Sequence, residues 1–173
     1  NPKMVNGQLL LSGIDTLDLG LYVSWDDNWE NTKQLLEEKK IFAQSTTGIL
    51  DKTDLDRDFL HLPSGKPPNF RFQLLFPEYR IYLSGSDKLQ KSPNVYVSIL
   101  AATLWHEDLD DIIALIELDL ANFGGTVVRI KPSRLDLCAD FQLSSPLDLD
   151  FLECFKVTRS RMFKTFHNGN ELE

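Results

Sequence analysis

Leu17-Asp18-Leu19-Gly20-Leu21-Tyr22-Val23-Ser24-Trp25 alternates apolar with polar or small side chains at a period of two. Such a segment is extended, and every second residue points to the same side. Leu17, Leu19, Leu21, Val23 and Trp25 share one face, and Asp18, Gly20, Tyr22 and Ser24 share the other. The pattern predicts a strand with one buried face, so the fold contains a sheet that another layer must cover. Just upstream, Leu9-Leu10-Leu11 is apolar without a period.

Residues 26–42 read as the covering helix. Asp26 or Asp27 can cap it, and Trp29, Leu36 and Phe42 are its expected core contacts. Residues 51–69 are polar, carry Pro63, Gly65, Pro67 and Pro68, and read as a loop. Phe70–Phe76 and Tyr79–Ser84 flank Pro77-Glu78 as a hairpin, and Pro93-Asn94 introduces a strand over Val95–Leu100. Residues 107–123 form the strongest helix, with Leu109, Ile112, Ile113, Ile116, Leu120 and Phe123 at helical spacing and Gly124-Gly125 as its stop. Thr126–Ile130 is a short strand that Lys131-Pro132 breaks, and Ser133–Phe141 is a further strand. Asp148 can cap a short helix carrying Leu149, Leu152 and Phe155. The expected order is β-α-β-β-β-α-β-α-β. It predicts a single α+β domain over residues 1–173, a mainly antiparallel sheet with helices on one face.

Composition narrows the function. The chain has 173 residues, 42% of them hydrophobic, and a net charge of −8 from 18 basic and 26 acidic residues. Such a chain buries a real core and is not a nucleic-acid binder over its whole surface, although a local basic patch is compatible with it. No apolar run reaches the ~18 residues of a membrane span. Asn1-Pro2-Lys3 leads into a polar segment rather than a signal peptide, and Cys138 and Cys154 read as reduced thiols of a cytoplasmic protein. The chain lacks an initial Met and ends Glu171-Leu172-Glu173, where Leu-Glu reads as a cloning remnant, so it is expected to be a piece of a longer protein.

Chemistry concentrates in Ser133-Arg134-Leu135-Asp136-Leu137-Cys138-Ala139-Asp140-Phe141. Leu135, Leu137, Ala139 and Phe141 share the face expected to meet the helices. Arg134, Asp136, Cys138 and Asp140 share the other. If this strand neighbours the first, three carboxylates can converge on the open sheet face. A hard divalent cation is the common reason for such a cluster. The same acids also read as a solvated face with Arg134 pairing to one of them.

This segment resembles the Arg-Ile-Asp-x-x-x-Asp strand of the replication initiation factor family, the trans-acting Rep proteins of rolling-circle plasmids and phages. Gly13-Ile14-Asp15-Thr16-Leu17 resembles that family's first strand. Asn94-Val95-Tyr96-Val97-Ser98-Ile99, the 107–123 helix and the Arg-Leu-Asp strand keep its order, over roughly residues 12–170. The resemblance implies a Rep nuclease-like, ferredoxin-like fold and a nicking and joining enzyme. That enzyme attacks DNA with a tyrosine and uses Mg²⁺ or Mn²⁺ to stabilise charge on the phosphate oxygens. Asp136 and Asp140 match acidic positions of the family strand and are the expected metal ligands. Asp15 matches the first-strand acid, although its parity places it with the core face. Asp18 has the open-face parity without a family match. The family's Thr-x-Tyr-x-Gly-Ser motif does not occur here. Tyr22, Tyr79, Tyr82 and Tyr96 all fall in predicted strands and read as structural aromatics. The resemblance therefore implies the amino-terminal part of the catalytic region, without its nucleophile and inactive alone.

The tail fits a DNA partner. Lys156, Arg159, Arg161 and Lys164 interleave with Phe155, Phe163 and Phe166, and no acid lies between Cys154 and Asn170. With Arg134 these cations are the expected DNA contacts, and the same tail also reads as an amphipathic edge strand. Asp54-Leu55-Asp56-Arg57-Asp58 mimics the start of an EF-hand loop, but Phe59 replaces its turn glycine and Gly65 its last acid. Gly65-Lys66 lacks the P-loop spacing, and His61, His106 and His167 form no His-x-His pair. Three readings stand: an origin nickase fragment, a non-enzymatic nucleic-acid- or protein-binding module of the same fold, and a different metal-dependent phosphodiesterase. The expected partner is single-stranded or origin DNA rather than a membrane, with a homodimer left open.

Overall fold

The period-two segment around Tyr22 does form a strand, and a sheet grows from it on both sides. A computed structural model describes residues 7–86 and 91–143. The expected helix over Leu149–Phe155 and the basic tail lie outside the described residues. The chain divides into a larger unit, Leu11–Ala139, and a smaller one made of Asn1–Leu10 with Asp140–Glu173. Within the smaller unit, the described residues are the ends of two long strands, where a Cβ added to Gly7 would meet Leu143 at 3.1 Å.

The element order is β1 (Gly7–Trp25), α1 (Trp29–Thr46), β2 (Ile49–Lys52), β3 (Asp58–His61), β4 (Phe70–Leu75), β5 (Tyr79–Ser84), β6 (Val95–Ile99), α2 (Ala101–His106), α3 (Leu109–Ala121) and β7 (Gly125–Leu143). The strands form one sheet in the order β2-β3-β4-β5-β6-β1-β7. The neighbouring strands from β2 to β6, and β6 with β1, pair antiparallel. β7 also runs antiparallel to β1, since Gly20 lies beside Lys131 and Gly125 beside Val23 and Trp25. The α+β class and the antiparallel sheet expected from the sequence are both present.

Helices pack on one face of the sheet in the larger unit. Leu17, Leu19, Leu21 and Val23 of β1 meet Val95, Val97 and Ile99 of β6, Ile81 and Leu83 of β5, and Phe72 and Leu74 of β4. Trp29 and Leu36 of α1 and Ile112, Ile116 and Leu120 of α3 close this core. Trp25 stacks on Trp29 with ring centroids 3.8 Å apart, tying the end of β1 to the start of α1. Asn94 does the same for β6 without a strand residue. Its side-chain amide donates to the Val23 carbonyl and its Oδ1 accepts from the Val23 N–H, both at 2.8 Å, so an amide completes the ladder.

Several expectations are corrected. Asn28 is the N-cap residue of α1, and Asp26 acts one step earlier by accepting the Asn28 N–H at 3.0 Å. α1 turns Ala43 inward after Trp29 and Leu36, and Phe42 is 61% exposed. The strongest predicted helix forms as α3, where Asp108 caps it by accepting the Asp110 N–H, and α2, a short helix not expected from the sequence, precedes it. Leu109 is exposed, whereas Ile112, Ile116, Leu120 and Phe123 are buried as expected. Gly124 ends this region with φ +79, where a Cβ would lie 2.5 Å from Asp26. The 51–69 loop contains half of β2 and all of β3, and the EF-hand-like run sits at the turn between them. There Lys52 pairs with Asp56 and Asp58, and Arg57 turns inward. β7 runs unbroken through Lys131-Pro132. It is an edge strand, so the missing proline N–H costs no ladder bond there.

Beyond Leu17, β6 no longer pairs with β1. Leu135 and Leu137 of β7, expected to meet helices, are therefore exposed, Leu137 at 74%. Phe141, in the smaller unit, is exposed as well.

Inward polar groups at the other end of the sheet are satisfied by one another. Asp119 of α3 is fully buried, accepts the Tyr79 hydroxyl at 2.5 Å and takes Arg57 Nε at 3.1 Å. Glu78 holds the same guanidinium at 2.8 Å. Asp51 Oδ2 receives both His61 Nε2 and Lys39 Nζ at 3.1 Å.

Candidate nucleic-acid interface

The second face of the sheet follows directly from the registers. Arg80, Ser98 and Asp18 form one row across β5, β6 and β1, and Tyr82, Tyr96 and Gly20 form the next. No described helix packs on these rows. Phe70 enters from β4, with ring centroids 6.5 Å from Tyr82 and 5.7 Å from Tyr96.

Two cations cover the aromatic rings. Lys66 Nζ lies 3.8 Å from the Tyr96 ring centroid and 5.2 Å from that of Tyr82. The backbone explains how a loop lysine reaches the sheet. Lys66 and Phe70 exchange N–H···O bonds at 2.9 and 3.1 Å around a cis Pro67-Pro68 peptide. Gly65 passes so close to this turn that a Cβ would lie 2.2 Å from the Phe70 carbonyl. On the β7 side, Arg129 lies 3.7 Å above the Tyr22 ring. The Tyr22 hydroxyl donates to the Lys91 carbonyl at 3.1 Å. Among the described residues, Lys66, Arg80 and Arg129 have no carboxylate partner. Their positive charge is therefore available to a ligand, in a chain whose net charge is −8.

The sequence-predicted residues divide. Asp18 is 5% exposed and lies at the centre of the face. Its Oδ2 accepts the Tyr96 hydroxyl at 2.6 Å, while its Oδ1 is buried without a hydrogen-bond partner. Burial and this hydrogen bond push the Tyr96 hydroxyl up to about 12, so it stays protonated at neutral pH. Arg134 feels both Asp18 and Tyr96 electrostatically, and its Nε donates to Asp136 Oδ1 at 3.1 Å. The structure thus brings Asp18, Arg134 and Asp136 together, with Asp136 held by Arg134 as the solvated-face reading has it. Asp15 is exposed, with the Thr16 hydroxyl at 3.4 Å, and Ile14 rather than Asp15 packs against the core. Asp140 belongs to the smaller unit. Lys156, Arg159, Arg161 and Lys164 lie outside the described residues.

A divalent cation needs several oxygen ligands. Asp18 Oδ1 could supply one, and Asp136 is engaged by a guanidinium. Among the described residues, no three His, Cys, Asp or Glu side chains gather as a metal-binding group. These residues alone do not fit a complete Mg²⁺ or Mn²⁺ site. All four tyrosines lie in strands, as expected, and Tyr22, Tyr79 and Tyr82 are buried. Sequence reasoning placed Tyr22, Gly20 and Asp18 on the open face but missed Lys66, Arg80 and Arg129.

Comparison with known proteins adds no relative: no protein-family model matches the chain, and neither a curated protein nor a solved structure matches it significantly. Among the described residues, no helix is long and apolar enough to cross a membrane.

Proposed function

We propose that this chain binds single-stranded DNA across the cation-covered sheet face opposite the helices, as the amino-terminal part of a replication initiator that nicks and rejoins its origin. The observation that carries the reading is the convergence of unpaired Lys66, Arg80 and Arg129 on one face of an acidic chain. Like charges gather at a cost, and a polyanion is the ligand that repays it. Arg134 adds a fourth cation whose charge Asp136 offsets. Because Lys66 and Arg129 lie over the tyrosine rings, the face offers cations to phosphates before it offers rings to bases. The replication role rests on the motif order around Ile14-Asp15, Val95–Ile99 and Arg134–Asp140.

In that role the tyrosine nucleophile lies outside this sequence, and this face holds and orients the strand. A divalent cation is part of the proposal, with Asp18 Oδ1 a buried oxygen that has no hydrogen-bond partner among the described residues. No chemical step is assigned to it.

The test is fluorescence anisotropy with a labelled oligo(dT) and a duplex of equal length, with and without Mn²⁺. The Lys66→Ala/Arg129→Ala variant should weaken single-strand binding and flatten its salt dependence by about 1.4 in log–log slope, at about 0.7 per phosphate. Unchanged affinity and slope would refute the reading. A non-enzymatic module of the same fold binds alike, and only the longer protein forming a covalent adduct with DNA would separate the nickase from it.

A further inference from the structure

The aromatic face continues past Phe70 into a second recess. An open cleft of about 510 Å³ lies between the end of α1 and the 63–71 turn, and Lys40, Gln44, Pro68, Asn69, Phe70 and Arg71 are among its walls. No acidic residue lines it. Lys40 has no carboxylate partner among the described residues, and its Nζ lies 5.9 Å from the Phe72 ring. Arg71 is held by Glu37 through Nε at 2.7 Å, which fixes the guanidinium beside the cleft. The cleft thus combines Lys40, an Arg71 whose charge Glu37 offsets, an amide-bearing rim and an apolar wall of proline and phenylalanine. This is the mixture a nucleotide needs: ring surface for a base, charge for its phosphate. Its size is also that of a small-molecule site.

Phe70 belongs to both places. Its ring meets Tyr82 and Tyr96 on the sheet face, and the same residue walls the cleft. A strand whose phosphates cross Arg129 and Lys66 would reach the cleft by passing this ring.

Resting on the reading of the sheet face as a single-strand binder, we propose that the cleft is a terminal nucleotide subsite. One base packs against Phe70 and Pro68, with the adjoining phosphates at Lys40 and Arg71. The bound strand then runs from β7 across β1, β6 and β5 and ends at the 63–71 turn.

The experiment compares fluorescein-labelled oligo(dT) of roughly 4 and roughly 12 nucleotides, lengths that bracket common single-strand sites. Lys40→Ala/Arg71→Ala should weaken the longer oligonucleotide roughly fivefold to tenfold and lower its salt slope by about 1.4. The shorter one, held by Lys66 and Arg129, should bind unchanged. Arg71→Lys keeps the charge and should restore most of the Arg71 share, which a folding defect would not allow. Equal loss at both lengths, or none at either, would overturn the subsite. If Lys66→Ala/Arg129→Ala weakens binding while Lys40→Ala/Arg71→Ala does not, the subsite falls and the face stands. If neither pair matters, both fall.

Discussion

Asp119→Ala is the sharpest test of how the larger unit is held together. The carboxylate has no solvent exposure and three hydrogen-bonded partners' atoms: the Tyr79 hydroxyl, Arg57 Nε and an Arg57 terminal nitrogen at 3.2 Å. Burial, then the Asp119 contact, pushes the Tyr79 hydroxyl's pKa up, so it is a donor at every working pH. Alanine removes the acceptor and leaves a buried hydroxyl unpaired, a cost of about 1–3 kcal/mol. Breaking a buried ion pair costs about 3–5 kcal/mol, but Glu78 still holds Arg57 and the guanidinium side chain is partly exposed. The low end applies, about 3 kcal/mol. Asp119→Asn keeps an acceptor for Tyr79 and the volume, so about 1–2 kcal/mol is expected. Urea denaturation followed by tryptophan fluorescence measures both, since Trp25 and Trp29 stack in the same unit. An alanine variant within about 0.5 kcal/mol of the parent would refute the claim that this network is closed and buried.

Acid stability reports on the second polar contact. Burial lowers the His61 pKa, more than its hydrogen bond to Asp51 raises it, and Lys39 opposes the charge further. The folded state thus binds fewer protons than the unfolded chain below the ordinary histidine pKa of about 6.5. Stability from this site is complete above that pH and declines as pH falls towards the lowered folded value; His61→Asn should remove that decline from a urea titration between about pH 7.5 and 5.5. Asp51 carries linkage of the same sign at lower pH. Against burial, the Lys52 N–H, Lys39 and His61 hold its pKa below the usual range, so its contribution is lost only in more acid solution. Gly65→Ala places a Cβ against the Phe70 carbonyl, so it should lower the melting temperature and, by displacing Lys66, weaken oligonucleotide binding. A stable variant with parental affinity would show that the turn does not position Lys66.

Much of the fold was legible because burial imposes a period. β1, the β4–β5 hairpin, β6 and the apolar stripe of α3 were each read from alternation or helical spacing. β2 and β3 were not, since they are four residues each and their inward positions include Asp51 and His61. Those two look like loop residues until they are seen bonded to each other. Pro132 misled in the same way: proline breaks a central strand, and only topology puts β7 at the edge. Phe42 lost the core to Ala43 because the 18 residues of α1 present the Trp29–Leu36–Ala43 stripe.

The site was half legible. The parity of β1 correctly set Asp18 and Tyr22 apart from the core. Which cations meet them depends on β7 register and on a turn around Pro67-Pro68, neither of which has a one-dimensional signature. Arg80 was the exception: it alternates with Tyr79 and Ile81, so its parity alone could have placed it on the face opposite the helices.

The most direct measurement of the central claim is an amide chemical-shift map of the isotope-labelled chain titrated with oligo(dT). Shifts are expected to concentrate at Asp18, Gly20, Tyr82, Tyr96, Ser98, Lys66 and Arg129, with α3 unmoved. Shifts confined to α1 and α3, or no saturable shifts, would contradict it.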